Sequence, residues 1–248
     1  MRRRTAAICL RAGDFSETSQ VVGFLSREDG RVDVLAKGAK RPKSSTGGPI
    51  DVLAEGELVY IPSAGGALGT LVEFAETAAR AGLRRDSRRL NAALYMVELA
   101  GAMLGEADPH PGFFDLLHNA LDRLARGRPQ VGAVLAYFQW RALRQVGLLG
   151  EFARCVGCGR EMARAGRKDV HFSSIQGGLL CGGCEASAEE KYRLDGAALG
   201  GLAALAAAEA GKKVRLSDTQ AAAVNGMLAY HVACQIGRPM KMARHAIG

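Results

Sequence analysis

The sequence predicts an α+β chain of several domains: a five-stranded β-barrel first, then an all-α region into which a four-cysteine module is inserted. Three observations carry this. Short β-rich segments punctuated by turns fill the chain up to Thr77, and apolar residues then recur at helical spacing. Two Cys-x-x-Cys pairs, at Cys155–Cys158 and Cys181–Cys184, interrupt the helical pattern. A chain of 248 residues is long enough to bury a substantial core and to divide into two or three units.

The loosely alternating segment 5–12, with Ile8 and Leu10, reads as a first strand. Residues 19–26 are β-rich, and Asp29-Gly30 is a favoured hairpin turn into 31–37, where Val32, Val34 and Ala36 alternate with polar neighbours. After a basic loop come 56–61, a turn at Pro62 to Gly66, and 68–74. Five short strands without a long helix make a barrel of the OB type the economical arrangement, and such folds bind single strands across one face.

Ser87 is the expected cap of a helix with Leu90, Leu94, Val97 and Leu104 on one stripe, stopped by Gly105. Asp108-Pro109 opens a second, with Phe113, Leu117, Leu121 and Leu124 inward and Gly127 as its stop. Pro129 starts a third, whose apolar face runs through Leu135, Phe138, Ala142, Val146 and Leu149 to Gly150, with Tyr137 and Trp140 as packing residues. Beyond the cysteines, Asp195 begins an alanine-rich helix through Leu199, Leu202 and Leu205. A capping box at Ser217 and Gln220 opens the last helix, which runs past a packed His231 to Ile236. The expected divisions are a barrel over 1–78, helical parts over 79–150 and 193–248, and the module over 151–192.

The cysteine pairs are separated by 22 residues, the ligand pattern of a structural zinc site. Gly157, Gly159, Gly182 and Gly183 suit tight knuckles in which a side chain would crowd the metal. Cys155, Cys158, Cys181 and Cys184 would fill the tetrahedron of one zinc ion with sulfur, leaving no position for substrate. Disulfides are weighed against this and set aside. The basic start, Met1 to Thr5, precedes no secretory apolar run, and a soluble protein of the reducing cytoplasm is expected. No apolar run is long enough to span a bilayer. A redox pair would need one Cys-x-x-Cys at a strand-to-helix junction. A zinc deaminase would need His-x-Glu, whereas His171 is followed by Phe172 and Ser173 and reads as a strand residue. Cys9 and Cys234 stand alone in apolar surroundings and read as small core residues.

Net charge is +8, and residues 1–48 hold ten Lys or Arg against five Asp or Glu. That balance suggests a polyanionic partner. Lys37, Lys40, Arg41 and Lys43 cluster in a loop rich in Gly, Ser and Pro, which suits contact with a phosphate backbone. The competing reading is a solvated loop that only aids solubility. Arg84, Arg85, Arg88 and Arg89 crowd the start of the first helix against its dipole, and charge alone adds them to the DNA-binding candidates.

Four stretches together resemble the RecO family of recombination mediators: Asp14 to Gln20, Ser26 to Ser44, Gly147-Leu148-Leu149 leading into Cys155 to Cys158, and Phe172 with Gly177 to Cys184. The resemblance covers nearly the whole chain. It implies an N-terminal OB domain and a helical domain carrying a zinc module, and it implies no catalysis. It further implies binding to single- and double-stranded DNA and annealing of complementary strands. With RecR, such a protein lets RecA displace single-strand-binding protein, whose acidic C-terminal tail docks on the helical domain. A cytoplasmic, nucleoid-associated location follows. All four cysteines of the family's metal pattern are present, and the DNA role maps onto Lys37, Lys40, Arg41 and Lys43. One departure is the low aromatic content of 6%. The strands offer few stacking groups beyond Phe24, Tyr60 and Phe74, and two of these read as core, so mainly electrostatic binding is expected. The alternatives are a zinc-dependent enzyme, for which no general acid or base stands out, and a protein-interaction module built on the ribbon.

Overall fold

Strand β1 (Arg3–Asp14) pairs on both of its edges, and that double pairing closes the barrel. The computed structural model describes residues 1–41, 44, 46–63, 68–78, 80–126, 130–162, 170–209 and 215–247. They form two compact units, Met1–Gly127 and Arg128–Gly248. The first two helices thus share a unit with the barrel, and the third shares one with the cysteine module.

In the first unit, β2 (Gln20–Ser26), β3 (Gly30–Ala36), β4 (Glu55–Ile61) and β5 (Gly69–Ala78) complete a closed barrel of order β1-β2-β3-β5-β4. Pairing is antiparallel except between β3 and β5, where Val34 faces Gly69. The hairpin glycine Gly30 has φ of 72°, as the turn requires. Alternation sends Ala7, Val22, Phe24, Val34, Leu58 and Phe74 into one core, with the Phe24 and Phe74 rings 5.1 Å apart. Cys9 joins them. Ile8 and Leu25, on the opposite side of their strands, are buried too. Helix α1 (Ser87–Met103) lies on this side: Arg31 Nη1 donates to the Gly101 carbonyl at 2.7 Å.

Helix α1 is capped by Asp86 and not by Ser87. The Asp86 carboxylate accepts from the Arg88 and Arg89 N–H groups at 2.9 and 3.3 Å. A negative group therefore sits among the arginines and offsets their conflict with the dipole. Helix α2 (Pro111–Ala125) begins two residues beyond the expected Pro109, with Pro111 in its first turn. A buried ionic fork joins it to the barrel. Arg80 reaches Glu55 at 2.5 Å and Asp122 at 3.1 Å, and His118 Nδ1 lies 2.7 Å from Glu55.

In the second unit, α3 (Val131–Gln145) ends before the expected Gly150. Gly147, at φ of 74°, closes it with a Schellman pair: its N–H bonds the Arg144 carbonyl, and the Leu148 N–H bonds that of Leu143 at 2.8 Å. A small sheet of order β7-β6-β8 follows, from β6 (Val170–Ser173), β7 (Gly178–Leu180) and β8 (Tyr192–Leu194). Helices α4 (Gly196–Glu209), α5 (Asp218–Ile236) and α6 (Ala243–Ala246) complete it. The capping box at Ser217 and Gln220 is present. Glycine lets α4 approach α5 closely, since a Cβ on Gly201 would stand 2.5 Å from Val224 Cγ2. Gln139 of α3 bonds buried Asn225 of α5 at 2.8 Å. Trp140 is buried as expected. Cys234 is not: it lies in the last turn of α5, past the stripe that ends at Val232, and is exposed. Among the described residues no helix is long and apolar enough to cross a membrane.

Replacing Arg80 by Met leaves the Glu55 carboxylate buried without its cation. We expect a loss of about 3–5 kcal/mol in urea unfolding of the first unit, because a stranded buried charge costs more than an absent pair.

Candidate metal centre and nucleic-acid interface

Each Cys-x-x-Cys pair makes a tight knuckle. In the first, Gly159 N–H bonds the Cys155 carbonyl at 2.8 Å, and Gly159 has φ of 73°. In the second, Cys184 N–H bonds the Cys181 carbonyl at 2.9 Å. The pairing of Val156 N–H with the Leu179 carbonyl at 2.9 Å sets one knuckle against the other. All four sulfur atoms then lie within 4.8 Å of one another and could hold a metal ion. The Cys158 and Cys181 sulfurs are 3.8 Å apart, far beyond a disulfide bond and equal to the edge of a tetrahedron with bonds of about 2.3 Å.

The surroundings fit an ion. Cys181 N–H points at the Cys155 sulfur at 3.4 Å. A Cβ on Gly157 would stand 2.9 Å from Cys184 Cβ, so a side chain there would push a ligand away, as the spacing suggested. Gly183 differs: its nearest neighbour, the Cys181 sulfur, is 4.0 Å away. Burial raises Cys155, but N–H groups of Cys181, Cys158 and Gly157 outweigh it and bring the thiol to about 6. Bonds to Cys158 and Cys181 push Cys184 up to about 12. His171 is not in the cluster. It lies on β6, with Nδ1 2.7 Å from Glu185.

The ribbon is tied to the helices of its own unit by an aromatic stack. Trp140 meets Phe152 at 5.0 Å, Phe152 meets Phe172 at 5.4 Å, and Phe172 meets the His231 ring edge-on at 4.9 Å. His231 Nε2 donates to the Leu148 carbonyl at 2.6 Å, and Ser174 Oγ donates to Nδ1 at 2.7 Å. Burial lowers the His231 pKa, against the opposing pull of that carbonyl and of Glu190. A donor at Nε2 and an acceptor at Nδ1 are what a neutral imidazole offers.

The basic candidates fall in the first unit. Lys37 and Arg41 are exposed just beyond β3. Lys40 is less free, being paired with Asp14 at 2.5 Å, and Lys43 lies outside the described residues. Arg84 pairs with Asp51 at 2.9 Å. Asp51 lies near the far end of the same β3–β4 connection that begins at Lys37, so chain distance is bridged by the fold. Arg85 and Arg88 are exposed, and Arg89 is half-buried 3.8 Å from Asp86.

The strand aromatics are unavailable for stacking. Phe24 and Phe74 are core residues, and Tyr60 is buried with its hydroxyl donating to Asp29 at 3.0 Å. Sequence reasoning passed over Phe15, which is exposed on the β1–β2 turn. The only local sign was an aromatic residue amid the polar run Asp14 to Ser19.

Two family models match the chain. That of the recombination protein O N-terminal domain matches residues 1–80, and that of the C-terminal domain residues 84–244. Relatives named DNA repair protein RecO are similar over most of the chain. That of Rhodopirellula baltica is 34% identical over 181 residues, covering 73% of this chain and 66% of the relative, just under two thirds of its length. That of Anaeromyxobacter dehalogenans strain 2CP-C is 32% identical, covering 86% and 87%. That of Myxococcus xanthus is 29% identical, covering 95% and 93%.

The knuckle geometry and the buried histidine each set an expectation. Gly157→Ala should weaken metal retention by roughly 10- to 100-fold in competition with a chromogenic chelator, while Gly183→Ala should not. For His231 the folded pKa is depressed, so the unfolded chain takes the proton more readily. Stability should fall as pH drops below about 6.5, and thermal unfolding of the metal-loaded His231→Gln variant should show a flatter pH profile over that range.

Proposed function

This chain belongs to the RecO family of DNA repair and recombination proteins, and we propose that it is a non-catalytic recombination mediator. It binds single- and double-stranded DNA, anneals complementary strands and, with RecR, helps RecA load onto DNA coated by single-strand-binding protein. The acidic tail of that protein docks on the helical region, and the work is done in the cytoplasm at the nucleoid. The observation that carries the DNA reading is the exposed charge on the barrel unit. Lys37 and Arg41 leave one end of the β3–β4 connection, and Arg84 meets Asp51 near the other. Lys40, Arg85, Arg88 and Arg89 are proposed as secondary contacts, and Lys43, outside the described residues, is proposed with them on its charge alone. Such charge neutralises phosphates without reading sequence.

The ion held by Cys155, Cys158, Cys181 and Cys184 is zinc, one per chain. Support comes from the all-sulfur donor set and the tetrahedral edge. Four protein ligands leave no open position, which favours a bracing role over catalysis. Bound metal would hold together a ribbon of three short strands that has little core of its own, beyond the cysteines and the aromatic stack.

The test is direct. Lys37→Ala with Arg41→Ala should weaken binding to both single-stranded and duplex oligonucleotides, and should lower the salt slope by about 1 for each phosphate no longer neutralised. Annealing of complementary strands should slow in parallel. Unchanged affinity and slope would move the DNA surface off this connection.

A further inference from the structure

We propose that Phe15 is a stacking platform for an unpaired nucleobase, so that the barrel holds single strands by a contact that duplex DNA does not share. This deepens the DNA-binding reading and rests on it. Phe15 is 63% exposed, and among the described residues it is the aromatic side chain that stands open to solvent. At that exposure the ring adds little to the barrel core, so packing gives weak grounds for an aromatic residue at this position.

The ring is carried on a fixed turn. The Phe15 and Ser16 N–H groups both bond the Ser19 carbonyl, at 2.9 and 3.2 Å, which closes the β1–β2 turn. That turn is fastened to the basic connection. Lys40 N–H bonds the Thr18 carbonyl at 3.1 Å, Gly38 N–H bonds Ser19 Oγ at 3.2 Å, and Lys40 Nζ meets Asp14 at 2.5 Å. The turn that carries the ring is thus fastened to the connection that carries Lys37 and Arg41, and a preorganised surface loses little freedom on binding. In folds of this type the β1–β2 loop flanks the oligonucleotide face.

Charge says which part of a strand meets the turn. Exposed Glu17, two residues from Phe15, repels phosphate, whereas a base offers a neutral π-face. The bases of a strand whose phosphates lie along Lys37 and Arg41 would therefore turn toward Phe15. In a duplex those faces are already stacked on their neighbours, so the contact is open to unpaired bases alone.

The experiment compares single-stranded, duplex and abasic oligonucleotides of equal length on the full chain. Phe15→Ala should weaken single-strand binding roughly 5- to 150-fold, with the salt slope and duplex affinity unchanged. Phe15→Trp should keep the affinity, and the fluorescence of the introduced indole should be quenched by the base-bearing strand and not by the abasic one, over a constant background from buried Trp140. Equal weakening on single strand and duplex would overturn the proposal. So would a Phe15→Ala chain that binds the base-bearing strand as tightly as the wild type does, whether or not it has lost a protein partner. If the wild-type chain binds no DNA of any kind, the parent reading fails first, and the two failures are thereby told apart.

Discussion

Closure of the barrel through β1 is the constraint from which the placement of the first unit's exposed loops follows. One strand of 12 residues bonds β4 along its first half and β2 along its second. The register shift between Cys9 and Arg11 marks the irregularity at which the strand bends. There the Cys9 backbone bonds Leu53 and Ala54, the residues that lead into β4. This fixes where the β1–β2 turn and both ends of the β3–β4 connection can lie. Exposed Lys37, Arg41 and Phe15 are carried by those connections, while the strands direct their inward side chains to the core.

The second unit solves a different problem. Its ribbon contains strands of four, three and three residues, too short to be stable alone. Two devices compensate. Sulfur atoms from two knuckles converge on one point, where a cation would remove the mutual repulsion of thiolates. The stack from Trp140 through Phe152 and Phe172 to His231 then couples the ribbon to α3 and α5. His231 contributes a hydrogen bond at each nitrogen, which makes the coupling directional as well as hydrophobic.

Buried charge plays the corresponding part in the first unit. Arg80 sits between Glu55 at the start of β4 and Asp122 of α2, so the segment leaving the barrel is held against a helix by paired ions. This pairing has no signature in local sequence, because its three members are drawn from separate elements. The same holds for Arg84 with Asp51. The arginine run was visible as charge, but its neighbourhood was not.

By itself the sequence determined the five strands, the helical periods, the metal-ligand pattern and the capping box at Ser217, since each is encoded in spacing between near neighbours. It also located the basic loop. Only the tertiary structure decided which groups are free to act. Lys40 is tied to Asp14, Tyr60 and Phe24 are turned inward, Cys234 is exposed, and Phe15 stands out on a fixed turn. The reason is physical: periodicity is a property of consecutive residues, whereas burial and pairing depend on partners that only the closed chain brings together.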